Sequence, residues 1–169
     1  NFLSYFAFFL CIFQFTAACS QSVNRFELVT ENQKVSILYD QDGVALDSIT
    51  AHLLAKDIER VSGYLPQVTT AINSVSGNAI VIGSQASDLI QSFSEATTPK
   101  QEAWESYTLK LVKPKSSPIK NALVIAGADA RGTAYGVFDI SEKIGVSPWY
   151  WWADVVPEKQ EELTLEVSS

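Results

Sequence analysis

Apolar positions recur along this chain in two rhythms, and the points where one gives way to the other predict its elements. Phe26 to Val29 is a short run fit for a strand, after a polar stretch from Gln21 to Arg25 that reads as linker. Lys34 to Tyr39 (KVSILY) alternates and is β-branched, so it predicts a firmer strand. The period then lengthens. Leu46, Ile49, Leu53, Ile58, Val61 and Leu65 recur at helical spacing, with Asp47 or Ser48 as the expected cap and Gly63 as the stop. Gln67 to Ala71 predicts another strand. Asn78 to Gly83 (NAIVIG) and Asn121 to Ala126 (NALVIA) are continuous apolar runs, the pattern of strands buried on both faces. Between them the sequence predicts a short helix from Ser87 to Ala96 capped by Ser87, a loop from Thr97 to Ala103, an alternating strand from Glu105 to Val112 and a hairpin-like loop from Lys113 to Lys120.

The stretch from Gly127 to Asp154 is the most unusual in the chain. Asp129 is the expected N-cap of a helix running to Ile144. Val137, Ile140 and Ile144 share a face with Thr133 and Gly136. Gly132 and Gly136, one turn apart, each cost up to about 1 kcal/mol against Ala inside a helix. That cost implies a backbone or a large ring packed close against them. Gly145 and Pro148 end the helix. Trp149 to Val155 then reads as a strand, with Trp149 and Trp151 on one face and Tyr150 and Trp152 on the other. Leu163 to Val167 alternates as a last strand.

Composition changes the picture at the amino terminus. Phe2 to Ala18 is uncharged and very apolar, yet short for a membrane span of about 20 residues. It fits a signal-peptide hydrophobic region over residues 1–19, with small residues at Thr16, Ala17 and Ala18. No basic n-region precedes it and the chain holds no Met, so a clipped start is expected. Ala17-Ala18-Cys19-Ser20 also resembles a lipoprotein cleavage box, which would leave Cys19 lipidated. The expected location is therefore secreted or periplasmic, with an anchor at Cys19 as the variant. Cys11 and Cys19 are the two cysteines, so the domain beyond them holds no internal disulfide. The 169 residues suit one domain, with residues 20–33 as linker and first strand and 34–169 as the domain proper. A formal charge of -7 with no basic run argues against nucleic acid as a partner.

Most catalytic motifs are excluded by a missing residue. Gly127-x-x-x-x-Gly132-Thr133 lacks the Lys of a phosphate-binding loop, and no G-x-G-x-x-G or G-x-S-x-G occurs. The single His, His52, falls on the solvent face of the first helix beside Ser48, Lys56 and Glu59. One His and no cysteine pair give no metal site, and no cofactor is implied. Carboxylates and aromatics remain. Asp129 and Arg131 read first as a cap and an ion-pair partner. The functional reading makes Arg131, Asp154 and Trp151 the polar rim and stacking ring of a sugar site. The tryptophans serve equally as packing surface, which is the favoured reading, or as platforms for sugar faces.

The run Asp129-x-Arg131-Gly132-Thr133-x-Tyr135-Gly136, followed by Ile144-Gly145-Val146-Ser147-Pro148-Trp149-Tyr150-Trp151-Trp152-Ala153-Asp154, resembles the N-terminal domain of glycoside hydrolase family 115, the xylan α-1,2-glucuronidases. Asp57-Ile58-Glu59-Arg60-Val61-Ser62-Gly63 is similar to the family as well, and the resemblance runs from about Lys34 to the end. It implies an α/β (α+β) domain, a mixed sheet with helices mainly on one side, similar to the small N-terminal domain of β-hexosaminidases and other α-glucuronidases. It further implies that the catalytic carboxylates lie in a (β/α)₈ barrel following this domain and absent here, so no catalytic residue is expected in this chain. Family members invert, which places two carboxyl groups about 6.5–9.5 Å apart across the bond. The implied partners are that barrel and glucuronoxylan. The other readings are a non-catalytic carbohydrate-binding or barrel-docking module and a hexosaminidase-type enzyme.

Overall fold

In a computed structural model, residues 23–93, 104–115 and 117–168 are described. The signal-peptide reading of residues 1–19, the helix end at 94–96 and the loop at 97–103 fall outside them. Five strands form the main sheet: β2 (Ser36–Tyr39), β3 (Val68–Thr69), β4 (Gly77–Ser84), β5 (Tyr107–Val112) and β6 (Ile119–Gly127), in the order β3-β2-β4-β6-β5. All pairings are parallel except β5 with β6. The two central strands are the continuous apolar runs, and the reason is visible in their register. Ile80, Ile82, Leu123 and Ile125 point to one face, and Ala79, Val81, Ala122 and Val124 to the other. Both faces are covered, so alternation has no polar phase.

Two long helices cover the first face: α1 (Ala45–Ser62) and α3 (Ala130–Lys143). A short helix, α2 (Asp88–Ser92), covers the second with Ile90 and Phe93. The mixed sheet with helices mainly on one side is therefore present. A two-stranded antiparallel ribbon, β1 (Val23–Val29) with β7 (Leu163–Ser168), adds Phe26, Leu28, Leu163 and Leu165 to the core under the long helices. The buried side chain of Asn78 ties ribbon to sheet, donating to the Glu27 carbonyl at 2.9 Å and accepting from Asn121 at 2.9 Å. Residues 23–25, read as linker, are strand because they pair with Glu166 to Ser168 at the far end of the chain. No local pattern encodes that pairing.

The first helix departs from its predicted face and cap. Its buried stripe is Thr50, Ala51, Leu54, Ala55, Ile58 and Val61, while Ile49 is 54% exposed. The predicted Ile58 and Val61 are buried, but Thr50, Ala51 and Ala55 share the face and turn Ile49 outward. Asp47 and Ser48 do not cap. The helix begins at Ala45, after Val44 in extended conformation, and Asp47 sits inside its first turn. Gly63 stops it as expected, at φ 78° with its N–H donating to the Glu59 carbonyl.

The aromatic run is not a strand. Trp149 leads into a one-turn helix, α4 (Tyr150–Ala153), and Asp154 follows in left-handed conformation. The Ser147 hydroxyl accepts from the Trp149 N–H at 3.2 Å, its carbonyl accepts from Tyr150 at 2.9 Å, and the Trp149 carbonyl accepts from Ala153 at 2.8 Å. Local bonds thus take the groups that a strand would offer to a neighbour.

Candidate functional site

The carboxyl-terminal end of β6 delivers the chain to the first turn of α3, where the Asp129–Tyr135 motif is built. Asp129 caps the helix: its Oδ1 accepts from the Gly132 N–H at 2.7 Å. Its Oδ2 accepts from the Glu105 N–H at 3.0 Å, which holds Glu105 in the left-handed region at φ 59°. The Gly132 bond first, and the Glu105 bond next, hold the Asp129 carboxyl below the usual carboxylate range. Thr133 donates to the Asp129 carbonyl at 3.2 Å.

Gly132 and Gly136 are there for the close approach that their spacing implies. A Cβ at Gly132 would collide with the Ser106 carbonyl oxygen. One at Gly136 would stand 2.6 Å from the Ile125 side chain and 3.0 Å from the Tyr107 ring. The neighbours are a backbone and a large ring, and α3 packs directly against β5 and β6.

Arg131 is exposed but engaged. It pairs with Glu105 at 2.6 Å and donates to the Tyr135 hydroxyl at 3.1 Å. These contacts, the Tyr135 bond foremost, raise its already high pKa. Asp154 stands elsewhere. The 14 residues of α3 span roughly 20 Å, and Asp154 lies beyond the opposite end. The structure therefore does not bring Arg131 and Asp154 together. Trp151 lies in α4, and its side chain is outside the described set.

At that opposite end the aromatic run meets the end of α1. The Arg60 guanidinium sits 4.8 Å from the centre of the Tyr150 ring and pairs with Asp57 at 2.6 Å. Tyr150 is thereby anchored, whereas Trp149 and Trp152 are 65% and 84% exposed. Val155 and Val156, next in the chain, are exposed as well. Beside the aromatic run, Leu53, Phe138, Val146 and Pro148 line a cavity of about 430 Å³ between α1 and α3. The helix end here is closed by Gly145 at φ 97°, with Gly145 and Val146 donating to Glu142 and Ser141 at 2.9 Å each.

A second concavity was not picked out from the sequence. It lies at the carboxyl ends of β2 and β4, where Asp40, Asp42, Asp47 and Asp88 surround a cavity of about 450 Å³. The available signal was the spacing of Asp40, Asp42 and Asp47 around Gly43 at a strand-to-helix junction, which reads on its own as turn chemistry. His52 is exposed, as its position on α1 predicts, and bonds to the Ser48 carbonyl at 2.8 Å.

No family model matches the chain, and no curated protein is significantly similar in sequence. The fold does match a solved structure described as a novel family GH115 4-O-methyl-α-glucuronidase with specificity for decorated arabinogalactans. The TM-score is 0.65 and the identity 30%, over 83% of this chain. The match spans only 17% of that protein. The likeness supports a relation to family 115 glycoside hydrolases, and what the chain matches is a minor part of such an enzyme.

Proposed function

We propose that this chain is the N-terminal domain of an α-glucuronidase of glycoside hydrolase family 115, with catalysis in a separate barrel domain. The observation that carries the reading is the 30% identity over 83% of this chain to a glucuronidase of which it spans 17%. The SPWYWWAD run supports it independently. The whole enzyme would hydrolyse the bond to (4-O-methyl-)glucuronic acid with inversion. One carboxylic acid would protonate the leaving oxygen and one carboxylate would activate water. Neither is assigned to Asp129, whose oxygens are taken by the Gly132 and Glu105 N–H groups.

The role of this domain is docking. Trp149, Trp152, Val155 and Val156 are all exposed apolar residues of one short stretch, and apolar groups clustered at a surface mark contacts. Its partner in this reading is the barrel. Arg131 remains a candidate for the rim of the substrate site, at the other end of α3. The substrate is a glucuronate-bearing polysaccharide: glucuronoxylan by the resemblance of the motifs, arabinogalactan by the specificity of the matched structure. An apolar segment at residues 2–18 fits export of the protein. The test is to express the polypeptide encoded beyond Ser169 and assay glucuronate release from both polysaccharides. Release from either is expected, and the preferred one fixes the substrate. Release from neither, with release of N-acetylhexosamine from a chitooligosaccharide, would favour the hexosaminidase-type reading.

A further inference from the structure

A cavity of about 530 Å³ lies between the ribbon and the main sheet, at the amino ends of β4 and β6. Both sets of strands change register there: β1 against β7 between Glu27 and Val29, and β4 against β6 between Gly77 and Asn78. None of the residues lining it belongs to the aromatic run or to the Asp129 motif. Its inner wall is polar and fixed. Asn78 is 5% exposed and has both ends of its amide engaged, by the Glu27 carbonyl and by Asn121. Asn121 uses its amino group in that bond, and its amide oxygen accepts no hydrogen bond among the described residues.

The outer lining is cationic. Arg25 from β1, Lys113 after the end of β5 and Lys120 at the start of β6 stand against a single carboxylate, that of Glu27. All three cations are exposed, and none makes an ion pair, a side-chain hydrogen bond or a ring contact among the described residues. Arg25 faces Glu166 across the ribbon without pairing with it. Elsewhere the cations are engaged. Lys56, Arg60, Arg131 and Lys143 each hold a carboxylate, and Lys34 lies over the Tyr64 ring. Apart from Lys159, the described cations without a partner are those of this cavity. In a chain of formal charge -7, such a concave cluster concentrates positive potential where an anion can reach it.

We propose that this cavity binds a carboxylated sugar unit, its carboxylate held by Arg25, Lys113 and Lys120 and its hydroxyls by Asn24, Gln33 and Asn121. Pockets for drug-like ligands are mostly apolar. This one is lined by amides and cations, with Leu111 and Val112 as its apolar part, which suits a hydroxylated anion. Arg25 offers a carboxylate two parallel N–H groups, and the lysines act as point charges. A polysaccharide bound here through one acidic unit would have its other units held at raised local concentration. The choice of a uronate as the sugar rests on the glucuronidase reading, whereas the need for a negative charge rests on the cavity alone.

The experiment is calorimetric titration of the 169-residue chain at pH 7 and low salt with methyl glucuronide, methyl glucoside and inorganic phosphate. Saturable millimolar binding of the glucuronide is expected, weakening as NaCl is raised. The glucoside, the same ring without the carboxylate, should not bind. Lys113→Gln and Lys120→Gln should each weaken binding about two- to fivefold at unchanged Tm. Lys113→Arg should keep most of the affinity and Trp152→Ala all of it. No binding of the glucuronide, equal binding of the glucoside, or unchanged affinity when both lysines are replaced by Gln would overturn the proposal. Phosphate bound as tightly as the glucuronide at matched ionic strength would overturn the sugar assignment. The two readings fail separately. A barrel that releases no glucuronate leaves this titration as it is, and a chain that binds no glucuronide leaves the barrel's activity as it is.

Discussion

The two ends of the helix layer handle polar and apolar groups in opposite ways. At the start of α3 the Asp129 carboxylate is answered within the domain, Arg131 is paired with Glu105, and two glycines press the helix onto β5 and β6. At the far end Arg60 fixes Tyr150 from below, and Trp149 and Trp152 point away from the core. One continuous motif therefore changes from inward packing to outward display in about 20 residues. The difference teaches that unusual residues in one stretch need not form one site. Glycines at the first end permit close approach, and tryptophans at the second end stand exposed.

The comparison can be broken most severely at Gly132. Gly132→Ala is expected to destabilise the domain by about 2–3 kcal/mol, because the Ser106 backbone must move and helix propensity offsets only part of the cost. Urea unfolding measures it, and a neutral or stabilising result would refute the packing account of the first end. Arg60→Ala is next. Losing the Tyr150 contact and the Asp57 pair should cost about 1–2 kcal/mol in the same measurement and loosen α4. Hydrogen exchange at Tyr150 to Ala153 should then rise.

The third prediction concerns the start of α1, which contrasts with the start of α3. Asp129 has both oxygens bonded and its pKa is lowered, whereas the buried Asp47 has an Oδ1 without a partner among the described residues and its pKa is raised. A raised folded pKa means that the folded state binds the proton more tightly. The protonated form stabilises the fold fully below the ordinary value of 3.8, and that contribution is lost as pH rises through the folded value. Asp47→Asn mimics the protonated carboxyl, so it should stabilise the chain by about 1 kcal/mol at pH 7. The gain should vanish on acidification. Asp129 has the opposite sign: its contribution is present above the ordinary value and lost as pH falls through its lowered one. The smallest effect belongs to Trp152→Ala. An 84% exposed side chain should change stability by less than about 0.5 kcal/mol.

Much of the first end was legible because its signals are local. Asp129 three residues before Gly132, glycines one turn apart, and Gly145 before Pro148 each state a backbone requirement within a few residues. The central strands were legible for a related reason, since NAIVIG and NALVIA need no partner to declare burial on both faces. The misses were decisions made at long range or by small residues. Val23 to Arg25 became strand through pairing with the last residues of the chain. On α1 the sequence placed Ile58 and Val61 correctly but missed Thr50, Ala51 and Ala55, which no hydrophobicity pattern favours over Ile49. The aromatic run looked extended because its residues are strong strand formers. Ser147 and Pro148 set a local turn that such propensity does not override. As for the candidate site, the identity of Arg131 and its pairing were readable, but its separation from Asp154 depends on the 14-residue helix between them.

The reading proposed above has this domain dock onto a barrel and leaves catalysis outside it. The direct measurement is glucuronate release from glucuronoxylan and from decorated arabinogalactan by the purified 169-residue chain, over long incubation at high protein concentration. No release is predicted. Release that rises with protein concentration and is lost in Asp129→Asn or Asp154→Asn would contradict the account, because it would place the chemistry in this domain.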